Sequence, residues 1–468
     1  MATSIEPTPE ERPAGASAGQ SPDVRDPRRL VLLTLARIAV ALRRSLWIVT
    51  LAWGCAVAQR PAPAPDGARL SLPSVGLRAR DIAVIVNDAD PASVEVGRYY
   101  AARRGIADDR VVHVRFPPAQ AVMASADFMR VQAVLDAKVD AGVQAFALAW
   151  TQPYRVECMS VTAAFALGFD PAAYCAQGCH TTKPSAYFNS PSHAPFTDHG
   201  LRPAMLLAGS DVESAKRLID RGVRADERWP DGKAYLMNTH DGSRNVRAET
   251  YARVKAVLGS SYPIEQVDAD TLEGRTDVMF EFTGLARVAA MGGNRFVDGA
   301  IADHLTSFGG VLLPGGGQTT ALEWLEAGAT GSYGTSSEPC NFRAKFPEIG
   351  VVMAHYLAGE TLVEAYWKSV LMPGQGVFVG DPLARPFGGV RVGRSAAGTV
   401  ISTRALPPGD YVLEAGRSSV GPFQPIRAIR MVGVGVRQLT LPAADARYFR
   451  LRPVVSPARP ASAASAAD

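Results

Sequence analysis

Short, wholly apolar, β-branched runs alternate with segments of helical period from residue 79 to residue 388, and this alternation constrains the fold more than any other feature. Ile82–Val86 is the first such run, too short for a helix and apolar on both faces, as a strand buried within a sheet must be. It ends in Asn87-Asp88-Ala89-Asp90-Pro91, a turn and helix-start signal. The pattern then predicts a helix over 92–104, a strand at Val111–Phe116, a helix over 124–142 and a strand at Gln144–Trp150. Residues 157–200 break the rhythm with Cys, Gly, Pro, Ser and His, and an irregular stretch of that length reads as a functional loop or lid. Alternation then resumes. Strands are expected at Ala204–Ala208, Lys233–Asn238, Ile264–Val267, Val278–Thr283, Val311–Leu313, Ala329–Tyr333 and Gly376–Gly380. Helices are expected over 212–224, 247–259, 297–307, 320–328, 349–358 and 361–370. Strand–helix alternation gives an α/β fold, a mostly parallel sheet with helices on both faces. Residues 79–388 form one large unit, in two similar halves meeting near residue 226.

Beyond Gly389 the helical period vanishes. Short alternating runs at Thr399–Thr403, Tyr411–Glu414, Ile429–Val432, Arg437–Leu441 and Tyr448–Leu451 predict a small β-sandwich over 389–455. The Ala/Ser/Pro-rich tail 456–468 is expected to be disordered. At the other end, residues 1–27 are too polar to bury a core. Two apolar runs follow, flanked by Arg28-Arg29 and Arg43-Arg44, and the second ends Cys55-Ala56-Val57-Ala58. Basic residues, a short apolar core and Ala-x-Ala make a secretory signal, cleaved after Ala58, which predicts a periplasmic or secreted protein. Acylation at Cys55, a twin-arginine route through Arg43-Arg44 and a retained anchor are the alternatives. No later stretch reads as a membrane span, and residues 59–78 read as a Pro/Ala/Gly-rich linker. A net charge of +4, from 49 basic and 45 acidic residues, with no basic stripe, argues against nucleic acid as a partner.

One block carries a family signature. It runs Phe280-Glu281-Phe282-Thr283-Gly284-Leu285-Ala286-Arg287, then Asp298–Thr306, Ala321–Ala329, Ser337-Glu338-Pro339-Cys340-Asn341-Phe342, Gly359-Glu360-Thr361-Leu362, Glu364–Ser369 and Gly380–Pro386. With Val84–Asn87 it resembles an uncharacterised exported family of exosortase-carrying bacteria, over residues 80–388. That resemblance implies an envelope setting among surface proteins and exopolysaccharide. More distantly, the Ala-Gly-Ala strand, the Gly-Glu-Thr-Leu helix and the closing Gly-Asp-Pro are similar to gingipain-type cysteine peptidases. Those carry a caspase-like α/β fold followed by an immunoglobulin-like β domain, and the order here is the same. In them a His-Gly pair ends one strand and the nucleophilic Cys ends the next. This chain has Thr283-Gly284-Leu285 at the first place and no Cys in Leu312–Gln318, where the second is expected.

Candidate chemistry therefore comes from other residues. Without Cys55 there remain Cys158, Cys175, Cys179 and Cys340, an even number that fits two disulfides with three possible connectivities. Cys175 and Cys179 with His180 could instead ligate zinc, but no second pair follows at finger-like spacing and no cofactor is expected. Cys340 follows a predicted strand, where ligands of open α/β sheets bind. It is the candidate nucleophile, with His304 or His240 as base and Glu338 or Asp241 as the orienting acid. Asn87, Asp88 and Asp90, the Asn238–Gly242 turn and Asp381 all follow strands and could line one cleft, or simply build turns and caps. Gly315-Gly316-Gly317 lacks the Lys-Ser/Thr of a phosphate loop. The reading is an atypical cysteine hydrolase of the envelope. Its alternative is a non-catalytic protein binding a surface protein, peptide or glycan through the cleft or the β domain.

Overall fold

The computed structural model describes residues 69–454, apart from Ser74, 176–178, 314–316, Ala397 and 442–445. The expected signal with its expected cleavage after Ala58, Cys55, Arg43-Arg44, most of the Gly-rich run and the tail lie outside the described residues. Among the described residues, no helix is long and apolar enough to cross a membrane.

The protein is mixed α/β, built on a ten-stranded sheet. From one edge to the other the strands are Ile264–Val267, Lys233–Met237, Val278–Thr283, Phe296–His304, Gly331–Thr335, Gly376–Gly380, Ala204–Leu206, Ala145–Leu148, Ile82–Asn87 and Val111–Val114. Gly376–Gly380 runs antiparallel to Gly331–Thr335 through five residue pairs, from Gly331↔Gly380 to Thr335↔Gly376. The four strands of residues 82–206 pair parallel to one another, as do the five of residues 233–335. Within each set the first four strands are laid down in the same order from the outer edge: second, first, third, fourth.

Local sequence explains most elements. Ile82–Asn87 is buried at every position, as a strand covered on both faces requires. Asp90 then caps the Pro91–Arg104 helix, accepting the Ala92 N–H, with Pro91 at the first helical position, and Gly105 closes it at φ 65°. Asp211 and Thr320 cap Val212–Ala225 and Ala321–Ala327 in the same way.

Three expectations are corrected. The helix predicted over 297–307 is the strand Phe296–His304. Its Ala, Ile and His spacing mimics a helical stripe, but both neighbours hydrogen-bond to it and residues 299–304 are all buried, so period 2 is erased. No strand forms at Val311–Leu313. The stretch 157–200 is not structureless: Met159–Ser160 is a short strand and Val161–Leu167 a helix buried at six of its seven residues.

The C-terminal strands form two sheets. One holds Val390–Ser395, Gly398–Thr403 and Arg437–Leu441; the other holds Arg69–Ser71, Tyr448–Pro453, Gly409–Gly416 and Phe423–Met431. They enclose a separate core of Ile401, Leu406, Tyr411, Leu413, Leu439, Phe449 and Leu451. Arg69–Ser71, within the expected linker, pairs parallel with Tyr448–Arg450, and Leu70 and Leu72 pack on that core.

Glu281 lies on a central strand, almost wholly buried, and its Oε2 has no hydrogen-bond partner. Burial raises its pKa to about 8, so the folded protein holds a neutral acid there. An unfolded Glu loses its proton near pH ~4.3. Below that value the carboxyl is neutral in both states and costs nothing; as pH rises towards about 8, the unfolded chain gains a solvated charge the folded one cannot. Stability should therefore fall across this window, and Glu281→Gln should flatten the decline in urea midpoints measured from pH 5 to 8, as a change specific to that site.

Candidate functional site

A cleft of about 900 Å³ lies where the carboxyl ends of strands from both sets meet. The Ile82–Asn87 strand contributes Asp90 and the following helix's Val96; Ala145–Leu148 contributes Trp150 to Gln152; Ala204–Leu206 contributes Leu207 to Val212. The other set adds Arg287 and Val288 after Val278–Thr283, and Leu312 with Gln318 to Glu326 after Phe296–His304. The walls are largely apolar, as small-molecule and peptide sites usually are.

Most polar groups of the lining are already occupied. Asp90 and Asp211 cap their helices, Glu323 accepts the Thr320 N–H at 2.9 Å, and Glu326 accepts the Ser210 N–H at 3.2 Å. Gln318 Oε1 accepts the Thr306 hydroxyl at 2.9 Å and the Phe308 N–H at 2.8 Å. Arg287 is exposed at the cleft and, among the described residues, forms no hydrogen bond or ion pair.

The residues singled out from sequence do not gather there. Cys340 is bonded to Cys179 and Cys158 to Cys175, with Cα–Cα distances of 5.5 and 5.6 Å. This selects one of the three connectivities, removes the thiol that a nucleophile needs and leaves Cys175 and Cys179 unable to hold zinc. Glu338 accepts the Cys340 backbone N–H at 2.7 Å, a turn contact. His304 is fully buried. Its Nδ1 accepts the Trp324 indole N–H at 2.9 Å and its Nε2 donates to the Thr319 carbonyl at 2.9 Å. Burial, with Arg247 nearby, lowers its pKa to about 3. An imidazole with both nitrogens engaged is in no position to take a proton, so the expected base is a structural group. The strand ends at His304 and is followed by Leu305-Thr306-Ser307, which holds no cysteine.

His240 is exposed and paired with Asp270, and Asp241 caps its own turn while accepting from Arg244 at 2.9 Å. Asn87 is buried and structural, accepting the Ala89 and Phe116 N–H groups and donating to the Phe116 carbonyl. Asp88 meets His113 at 2.6 Å, near an edge of the sheet. Asp381 ends the antiparallel strand, beside the start of Gly331–Thr335, and bonds to Arg104, Tyr100 and the Leu383 N–H. It therefore belongs to the opposite end of the sheet, and the single shared cleft imagined for these residues does not exist. Of the residues proposed for it, Asp90 alone lines the cleft found.

The Gly359–Ser369 signature also proves structural. Glu364 accepts from His193 at 2.8 Å and from the Leu77 N–H at 2.9 Å; Glu360 takes Lys368 at 2.6 Å and His355 at 2.8 Å. His193, Glu360 and Glu364 are close enough to hold a cation, but both oxygens of each carboxylate are satisfied and Lys368 already supplies positive charge. Sequence reasoning missed Arg287 as a site residue: it stood inside the quoted block, but nothing local marked it as unpaired.

The Cys179–Cys340 bond spans 161 residues and ties the 157–200 segment to the loop after Gly331–Thr335. Loop-closure entropy puts its contribution at ~5 kcal/mol as an upper figure. Cys179→Ser/Cys340→Ser should lower the denaturant midpoint clearly, more than Cys158→Ser/Cys175→Ser, whose loop is 17 residues. Equal losses in the two variants would contradict that ranking.

No protein family and no curated protein matches the chain. A solved structure described as that of a protease aligns with 80% of this chain and 97% of its own, at 11% identity and a TM-score of 0.40. The likeness is loose, and the reading of the site rests on the geometry above.

Proposed function

We propose that this is an exported, caspase-like relative of peptidases that binds a peptide-like ligand in its cleft and does not cleave it by a thiol mechanism. The carrying observation is the pairing of an open cleft at the strand carboxyl ends with a Cys340 held in a disulfide. The repeated second-first-third-fourth strand order and the β-sandwich that follows the α/β unit support the caspase-like reading. The two disulfides favour an oxidising compartment, in line with export.

The ligand follows from the lining. Trp150, Val96, Leu207, Val288 and Leu322 offer apolar contact, and Arg287 offers a planar cation suited to a carboxylate. An apolar peptide segment with an acidic side chain or free carboxyl end fits both. The lining acids accept helix-cap and backbone N–H groups and keep their charge, so the acidic group of the ligand is expected at Arg287 itself, with the apolar segment along the rest of the cleft.

Fluorescent peptide libraries test this directly. Apolar-acidic peptides should bind the wild-type chain and stay intact, with or without reductant. Arg287→Ala should weaken their binding about tenfold, the scale of one charge-assisted hydrogen bond, and Leu207→Trp should block it by filling the cleft. Peptide cleavage that appears on reduction and disappears in Cys340→Ala would overturn the reading in favour of a thiol hydrolase.

A further inference from the structure

The charge of the chain is unevenly divided. Residues 79–389 carry 28 basic and 35 acidic residues, whereas residues 390–454 carry ten arginines, no lysine and three acids. Whole-chain balance hides this contrast. Among the described residues, Arg430, Arg450 and Arg452 have a carboxylate partner, Asp410 for the first and Glu414 for the other two.

The four-stranded sheet shows where part of this charge is displayed. Phe449 and Leu451 point into the core, so Tyr448, Arg450 and Arg452 face outward by strand alternation. Arg69 is in register with Tyr448, and Arg430 with Asp410, on the same outer face. Tyr448 and Phe423 are both in register with Gly416, one on each side. Two strand spacings put these rings about 9.5 Å apart. Gly416 keeps the strip between them open: a Cβ there would meet the Phe423 ring at 3.2 Å. Arg450 lies over Phe423, 4.4 Å from the ring centroid. The result is an aromatic strip bordered by the exposed Arg69, with Arg450 and Arg452 sharing the single carboxylate of Glu414 on the same face, which leaves the strip net positive.

We infer that this face docks an acidic polysaccharide, one whose sugar rings lie on Tyr448, beside the Arg450-covered Phe423 ring, while their carboxylates meet Arg69 and the neighbouring arginines. The C–H face of a pyranose is flat and apolar and suits an aromatic ring; a uronate carboxylate suits a guanidinium fork. Charge complementarity selects an acidic polymer over a neutral one. The exposed aliphatic side chains around this sheet, Val420, Ile426 and Val454, lie at the hairpin and strand margins and not between Tyr448 and the arginines, and a lipid surface is the comparison in the test. The inference is independent of the cleft.

The test uses the full chain on immobilised polygalacturonate, with dextran and phosphatidylglycerol vesicles as comparisons. Retention should be specific to polygalacturonate and should fall steeply as salt rises towards about 0.5 M, where screening is short-ranged. Arg69→Gln/Arg430→Gln, both exposed, should weaken it about tenfold with an unchanged melting temperature, and Tyr448→Leu should weaken it while keeping the strand covered. Arg287→Ala should leave it intact, which separates this face from the cleft. Absence of retention, equal retention by the double variant, loss in Arg287→Ala, or binding to the vesicles alone would each overturn the proposal.

Discussion

Asp381 is the point on which the architecture closes. It is wholly buried at the end of the single strand that runs against Gly331–Thr335, and a buried carboxylate is tolerable only when paired and hydrogen-bonded. Arg104 from the Pro91–Arg104 helix, Tyr100 one turn earlier and the Leu383 N–H supply those partners. Arg104 also reaches Asp226, whose pKa burial raises to about 6 despite the guanidinium beside it. One cation thus links the first helix, the end of the Val212–Ala225 helix and the last strand of the main sheet. The seam itself is packed through glycine: a Cβ on Gly331 would meet Leu362 at 2.7 Å and one on Gly376 would meet the Tyr333 ring at 2.5 Å.

With the seam fixed, the polar interior is divided among structural tasks. Arg247 and Asp303 form a buried pair at 2.7 Å, Glu364 anchors His193 and the Leu77 backbone, and His304 is clasped by Trp324 and Thr319. Groups that look catalytic in isolation are here the partners that make burial affordable. What remains for a ligand is the apolar cleft at the strand ends, with Arg287 uncommitted, and the outer face of the small β domain. The two surfaces carry opposite character: one is concave and mostly apolar, the other flat and basic.

The strands that read most plainly in the sequence, such as Ile82–Val86 and Gly376–Gly380, are those whose residues are apolar throughout and bounded by turn formers. The helix start at Asp90-Pro91 was equally legible, because a cap depends on neighbours two or three residues away. Phe296–His304 was misread because its burial on both faces comes from strands that pair with it across space, leaving a helix-like spacing in the chain. The linker strand Arg69–Ser71 was invisible for the same reason: its partner, Tyr448–Arg450, lies at the far end of the sequence.

The sequence by itself determined the α/β alternation, the change to β structure after Gly389 and the presence, beyond Cys55, of four cysteines suited to two disulfides. These depend on periodicity and count, which are local or global properties of the chain. Only the tertiary structure decided that Cys340 meets Cys179, that both His304 nitrogens are occupied, and that Asp381 and Asp90 sit at opposite ends of one sheet. A side chain's chemistry is set by the donors, acceptors and solvent around it, and those are chosen when distant segments pack.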